Sequence, residues 1–85
     1  MKHAGPQALA SLEPLLSELR QYPGLVERTP GSFYRRSKAY LHFHEDVQGL
    51  FADIKLNPPE FTRLRVTTPE EQAYLLSLVV KGVAS

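Results

Sequence analysis

The stretch Leu41-His42-Phe43-His44-Glu45-Asp46 constrains the chain most, because successive side chains of an extended strand leave on opposite faces. Leu41 and Phe43 then point to one side and His42 and His44 to the other, so the chain needs a sheet with one apolar and one polar face. A slip of one residue would exchange the two faces, and this ties the register to the apolar set. Pairing Phe43 with Ala52 aligns Leu41 with Ile54 and Ala39 with Leu56, with a loop over 46–49. Carried onward, Ile54 faces Leu64 and Ala52 faces Val66. The expected strands are 32–36, 38–45, 50–56 and 61–67, with a short edge at 25–27 and a loop of Asn57, Pro58, Pro59 and Glu60.

The apolar face needs a cover, and the two ends of the chain supply it. Leu12, Leu15, Leu16 and Leu19 recur at the helical period behind Ser11 as N-cap, with Pro14 in the first turn and Pro23-Gly24 as the stop after Tyr22. Thr68-Pro69-Glu70-Glu71 has the form of a capping box, and Leu75, Leu76, Val79 and Val83 make the buried stripe behind it. The expected fold is α+β, a two-layer sandwich in a single domain over 1–85, with N- and C-terminal helices packed on one face of an antiparallel β-meander of four or more strands. A hydrophobic fraction of 42% with 22% charged residues suits one small globular domain. The absence of cysteine excludes disulfides and thiolate metal ligands and fits a reducing compartment. The longest apolar run, 75–80 broken by Ser77, is too short to span a membrane, and Met1-Lys2-His3-Ala4-Gly5-Pro6 lacks the apolar core of a signal peptide. A cytoplasmic protein with no membrane partner is expected.

The polar face then carries Phe33, Arg35, Tyr40, His42, His44, Phe51, Asp53, Lys55, Phe61, Arg63 and Arg65. His42 stands across from Asp53, and Asp53 across from Arg65. A carboxylate between an imidazole and a guanidinium accepts from both, so His42 is expected to titrate above an ordinary histidine. The plainest use of such a row is cross-strand pairing on a solvated sheet. A metal site is a second use, because imidazoles at i and i+2 ligate one ion when a carboxylate joins them: His42, His44 and Asp53. The neighbouring Arg65 opposes it, and Glu45 points to the other face. Arg35, Arg36, Lys38, Lys55, Arg63 and Arg65, interleaved with Phe33, Tyr40, Phe51 and Phe61, also suit single-stranded nucleic acid. Glu45, Asp46, Asp53 and Glu60 work against that, and a net charge of +1 adds nothing in its favour. Four rings on one face suit a protein partner or a homodimer. His3, in an N-terminal stretch expected to be loose, receives no role. No nucleophile elbow or phosphate-cradling glycine loop is present, so non-enzymatic binding without a cofactor is expected.

The order of a helix, then Tyr22-Pro23-Gly24-Leu25-Val26-Glu27, a strand, a strand led by Lys38, and a meander closed by a Pro-Glu-Glu helix resembles the MmcQ/YjbR family of small bacterial proteins. That resemblance implies a frataxin-like (CyaY-like) two-layer fold and a double-wing DNA-binding role. His42-Phe43-His44-Glu45-Asp46 with Phe51-Ala52-Asp53-Ile54 is similar to the uncharacterised "luciferase domain" family, whose members carry a His-x-His strand followed by an Asp-Ile strand. Neither resemblance implies a catalytic residue, and iron binding of the frataxin kind is not implied, since the first helix has only Glu13 and Glu18. The leading expectation is a protein-interaction or homodimerisation module using the polar sheet face. A nucleic-acid-binding accessory domain is the alternative, and a metal or small-molecule site is third.

Overall fold

The structure, a computed structural model, describes residues 1–84. Prolines set the helical starts. Pro6 opens α1 (Pro6–Ser11) and Pro14 lies in the first turn of α2 (Glu13–Leu19), where a missing N–H leaves no helical bond unmade. Pro14 has no N–H to donate to the turn before it, and the two helices are separated at Leu12 (φ −90°, ψ −1°). Ser11, expected to cap a helix beginning after it, instead ends α1, and its hydroxyl donates to the Gln7 carbonyl at 3.2 Å. Leu12, Leu15, Leu16 and Leu19 are all buried, as their spacing requires.

Among the described residues six strands form one antiparallel sheet: β1 (Lys2–His3), β2 (Val26–Thr29), β3 (Ser32–Arg35), β4 (Lys38–Asp46), β5 (Gly49–Asn57) and β6 (Glu60–Arg65). Their spatial order is β2-β3-β4-β5-β6, with β1 paired to β4. Strand β3 pairs with β4 only as far as His42, leaving the backbone of 43–45 without a partner on that edge. β1 takes the vacancy, with His3 opposite His44, Lys2 opposite Glu45, and the Ala4 N–H donating to the Phe43 carbonyl at 3.0 Å. The Gly5 N–H, which donates to the Glu45 carboxylate at 2.6 Å, fastens the same segment.

The β4–β5 register is the expected one, with Leu41 opposite Ile54, His42 opposite Asp53 and Phe43 opposite Ala52. It turns through Val47-Gln48 into Gly49, whose φ of +136° and proximity to the Thr67 hydroxyl leave no room for a Cβ. The β5–β6 register differs from expectation by two residues: Ala52 faces Leu64, Ile54 faces Thr62 and Asp53 faces Arg63. Asn57 pairs with Glu60, so only Pro58-Pro59 connects the strands, with an irregularity between Ile54 and Asn57. Between β3 and β4 a bulge pairs Phe33 with Leu41 but Tyr34 with Ala39, leaving Tyr40 as the extra residue.

That bulge corrects two expectations. Phe33, opposite Leu41, is 1% exposed, and Tyr40 is 5% exposed, so both belong to the buried cluster and not to the polar face. The Tyr40 hydroxyl reaches Gly82 of α3 (Pro69–Ala84). The α3 capping box forms as expected: the Thr68 hydroxyl accepts the Glu71 N–H at 3.1 Å, and the Glu71 carboxylate accepts the N–H of Thr68 at 2.9 Å. Leu16 and Leu19 of α2, Leu75 and Val79 of α3, and Leu41, Phe43, Ala52 and Ile54 of the sheet lie in one buried cluster. No helix among the described residues is long and apolar enough to cross a membrane.

Candidate metal centre

Alternation along β4 and its register with β5 bring His42, His44 and Asp53 together. His42 Nδ1 lies 2.8 Å from His44 Nε2, which lies 3.2 Å from Asp53 Oδ2, and His42 Nδ1 is 3.9 Å from that same oxygen. One ligand atom from each side chain thus falls within 4.8 Å of the other two. The short His42–His44 contact is a hydrogen bond when one of the two facing nitrogens carries the proton and the other accepts it.

Arg63 meets Asp53 from the next strand. Its Nε donates to Oδ1 and one terminal nitrogen donates to Oδ2, both at 2.8 Å. This fork, rather than the expected partnership with Arg65, holds the Asp53 carboxyl below its usual range, against the opposing effect of burial. Asp53 itself is only 8% exposed. His42 is shifted in the direction opposite to expectation: burial, and then the neighbouring His44, push its pKa below that of an ordinary histidine and outweigh the pull of Asp53. The Asp53 charge is already engaged by Arg63, and its nearest approach to His42 is long. A neutral His42 keeps its lone pair available at neutral pH, which is the form that ligates.

Other side chains border the cluster. His3, reached through β1, stacks edge-on against His44 with ring centroids 6.0 Å apart. Phe61, 40% exposed, lies 4.9 Å from the His42 ring, and the Lys55 ammonium lies 5.0 Å from the Phe61 ring. Phe51, half-buried, stands between His44 and Arg65 in the register. Arg65 leaves the cluster for the start of α3, 3.3 Å from Glu71, and also donates to the Gln48 carbonyl at 2.9 Å. Arg35 pairs with Lys38, and its guanidinium lies 5.9 Å from the buried Tyr40 ring. The expected face is therefore divided. His42, His44, Asp53 and Arg63 converge, Phe51 and Lys55 flank them, and Phe33, Arg35, Tyr40 and Arg65 serve elsewhere.

Sequence reasoning missed His3, because a two-residue strand has no periodicity to detect. The complementary signs of Lys2 and Glu45, its cross-strand partner, are the only local signal. No family model, no curated protein and no solved structure matches the chain.

Proposed function

We propose that this domain is a small non-enzymatic binding module that holds one divalent d-block cation between His42, His44 and Asp53. The observation that carries it is the convergence of two imidazole nitrogens and a carboxylate oxygen within 4.8 Å. In the architecture we propose with it, α2 and α3 form a second layer over the Leu41 face and leave the His42 face accessible, a view supported by the cluster they share with Leu41 and Phe43. Two nitrogens and one oxygen make a borderline donor set that suits Zn²⁺, Co²⁺ or Ni²⁺ better than Mg²⁺ or Ca²⁺. Arg63 opposes the cation by charge, yet it fixes the carboxylate as outer partners of ligands do. Three protein ligands leave a fourth position, which a side chain of a partner protein or of a second copy would complete beside the exposed Phe61 ring. A relationship to the MmcQ/YjbR proteins is part of the same proposal, supported by the order of helices and meander, and the DNA-binding role it implies is the alternative.

Titrating the metal-free protein with Zn²⁺ at neutral pH, followed by calorimetry and by the histidine ring signals, tests the centre. One equivalent should move the His42 and His44 rings together. His42→Ala and His44→Ala should each weaken binding by more than about 100-fold, beyond the range typical for loss of an outer partner. Sedimentation with and without Zn²⁺ would then show whether a second copy supplies the fourth ligand. Zinc shifts that survive in the variant lacking both histidines would overturn the proposal.

A further inference from the structure

At the far end of β4 from the β1 pairing, the β3–β4 turn and the β5–β6 turn lie side by side and enclose a cleft of about 350 Å³. Arg35, Arg36, Lys38 and Lys55 line it, with Tyr40 and the Pro58-Pro59 turn, and no carboxylate is among the lining residues. We propose that this cleft binds the phosphate group of a small phosphorylated ligand. Four of the ten lysines and arginines of a chain with net charge +1 gather at this one place, so general basicity does not explain them. The arginines elsewhere are largely matched: Arg20 by Glu13 and Glu27, Arg63 by Asp53, and Arg65 by Glu71. None of the four cleft cations joins an ion pair among the described residues. Like charges crowded in a concave site with protein walls repel one another and focus a positive field, and an anion relieves both.

The turn adds an independent observation. Arg36 and Ser37 occupy the two central positions of a two-residue hairpin at φ +54° and +67°, where asparagine and glycine are the residues without strain. An arginine there is unfavourable for the backbone, and it lines the cleft. Arg35 and Lys38 flank the turn, Lys55 approaches from β5, and the buried ring of Tyr40 forms an immobile wall. A forked guanidinium beside point-charge ammonium groups is the donor set that phosphate takes, and the volume admits a phosphate with a few further atoms.

The strained turn supplies a clean test. Arg36→Gly removes the charge while relaxing the backbone, so it cannot lose binding by unfolding, and Ser37→Gly relaxes the backbone while keeping every cation. Inorganic phosphate and glycerol 3-phosphate, titrated at low salt against chloride of equal ionic strength, should saturably shift the amides of 35–38 and of Lys55. Arg36→Gly and Lys55→Gln should each weaken binding about tenfold, as loss of a charge-assisted contact does, with Ser37→Gly unchanged. Shifts that chloride reproduces, binding undiminished in Arg36→Gly, or binding of a single-stranded oligonucleotide without binding of either phosphate would each overturn the proposal.

Discussion

Arg63 governs how Asp53 can be used. The carboxylate is nearly buried beside two imidazoles that touch each other, so its charge needs compensation, and the guanidinium fork supplies it with two bonds of 2.8 Å. A bound cation would supply the same compensation from the other side. The two positive charges therefore compete for one carboxylate, even though the fork also orients it. Because the Arg63 side chain is about half exposed, its charge is well screened while Asp53 is not. Arg63→Ala is expected to lower the denaturant midpoint of the metal-free protein, since it leaves a buried carboxylate without its principal partner. The same variant should bind Zn²⁺ more tightly than the wild type by a few-fold and recover stability when the metal is added. Weaker zinc binding in Arg63→Ala would mean that orientation of the carboxylate outweighs charge.

Helix α3 and strand β4 meet where a tyrosine and a glycine face each other. The Tyr40 hydroxyl is buried with no hydrogen-bond partner among the described residues, and a Cβ added at Gly82 would approach its oxygen to 2.9 Å. A glycine inside a helix costs about 1 kcal/mol relative to alanine, and this contact is the reason an alanine does not fit. Tyr40→Phe should raise stability by about 1 kcal/mol by removing an unsatisfied buried hydroxyl. Gly82→Ala should be close to neutral in the wild type and stabilising by about 1 kcal/mol in the Tyr40→Phe background. Additive effects in denaturant melts would refute the contact. Neither residue advertised this meeting in the sequence, since Tyr40 alternates with His42 and only a bulge turns it inward. The same bulge buries Phe33. By contrast, the α3 capping box and the His42-Asp53 pairing were readable, because side-chain chemistry and apolar alternation each left a single arrangement. The Asp53-Arg63 fork was not readable: the slip of two residues keeps every side chain on its face and changes only its partner, so the apolar pattern could not detect it.

Acid should act on the entire protein in two steps, because His42 and three carboxyls are shifted the same way. His42 lies below the ordinary imidazole value of 6.5, while Glu27, Asp53 and Glu71 lie below the ordinary carboxyl values of 4.5, 3.8 and 4.5. Each downward shift means that the unfolded chain binds a proton more readily than the folded one, so stability rises with pH between the folded and unfolded values. The His42 contribution is fully present above 6.5 and is lost as pH falls through its lower folded value. The carboxyl contributions are present above the ordinary carboxyl range and are lost as pH falls through folded values beneath it. Melting temperature plotted against pH should therefore fall first below 6.5 and again below 4.5. His42→Gln should shrink the first step and leave the second. Zinc binding should decline within the first step, because the proton that charges His42 occupies the lone pair the metal requires. A melting temperature that rises on acidification from neutrality would require a charged His42 in the fold. That would return the pair to the attraction by Asp53 that burial and His44 here outweigh.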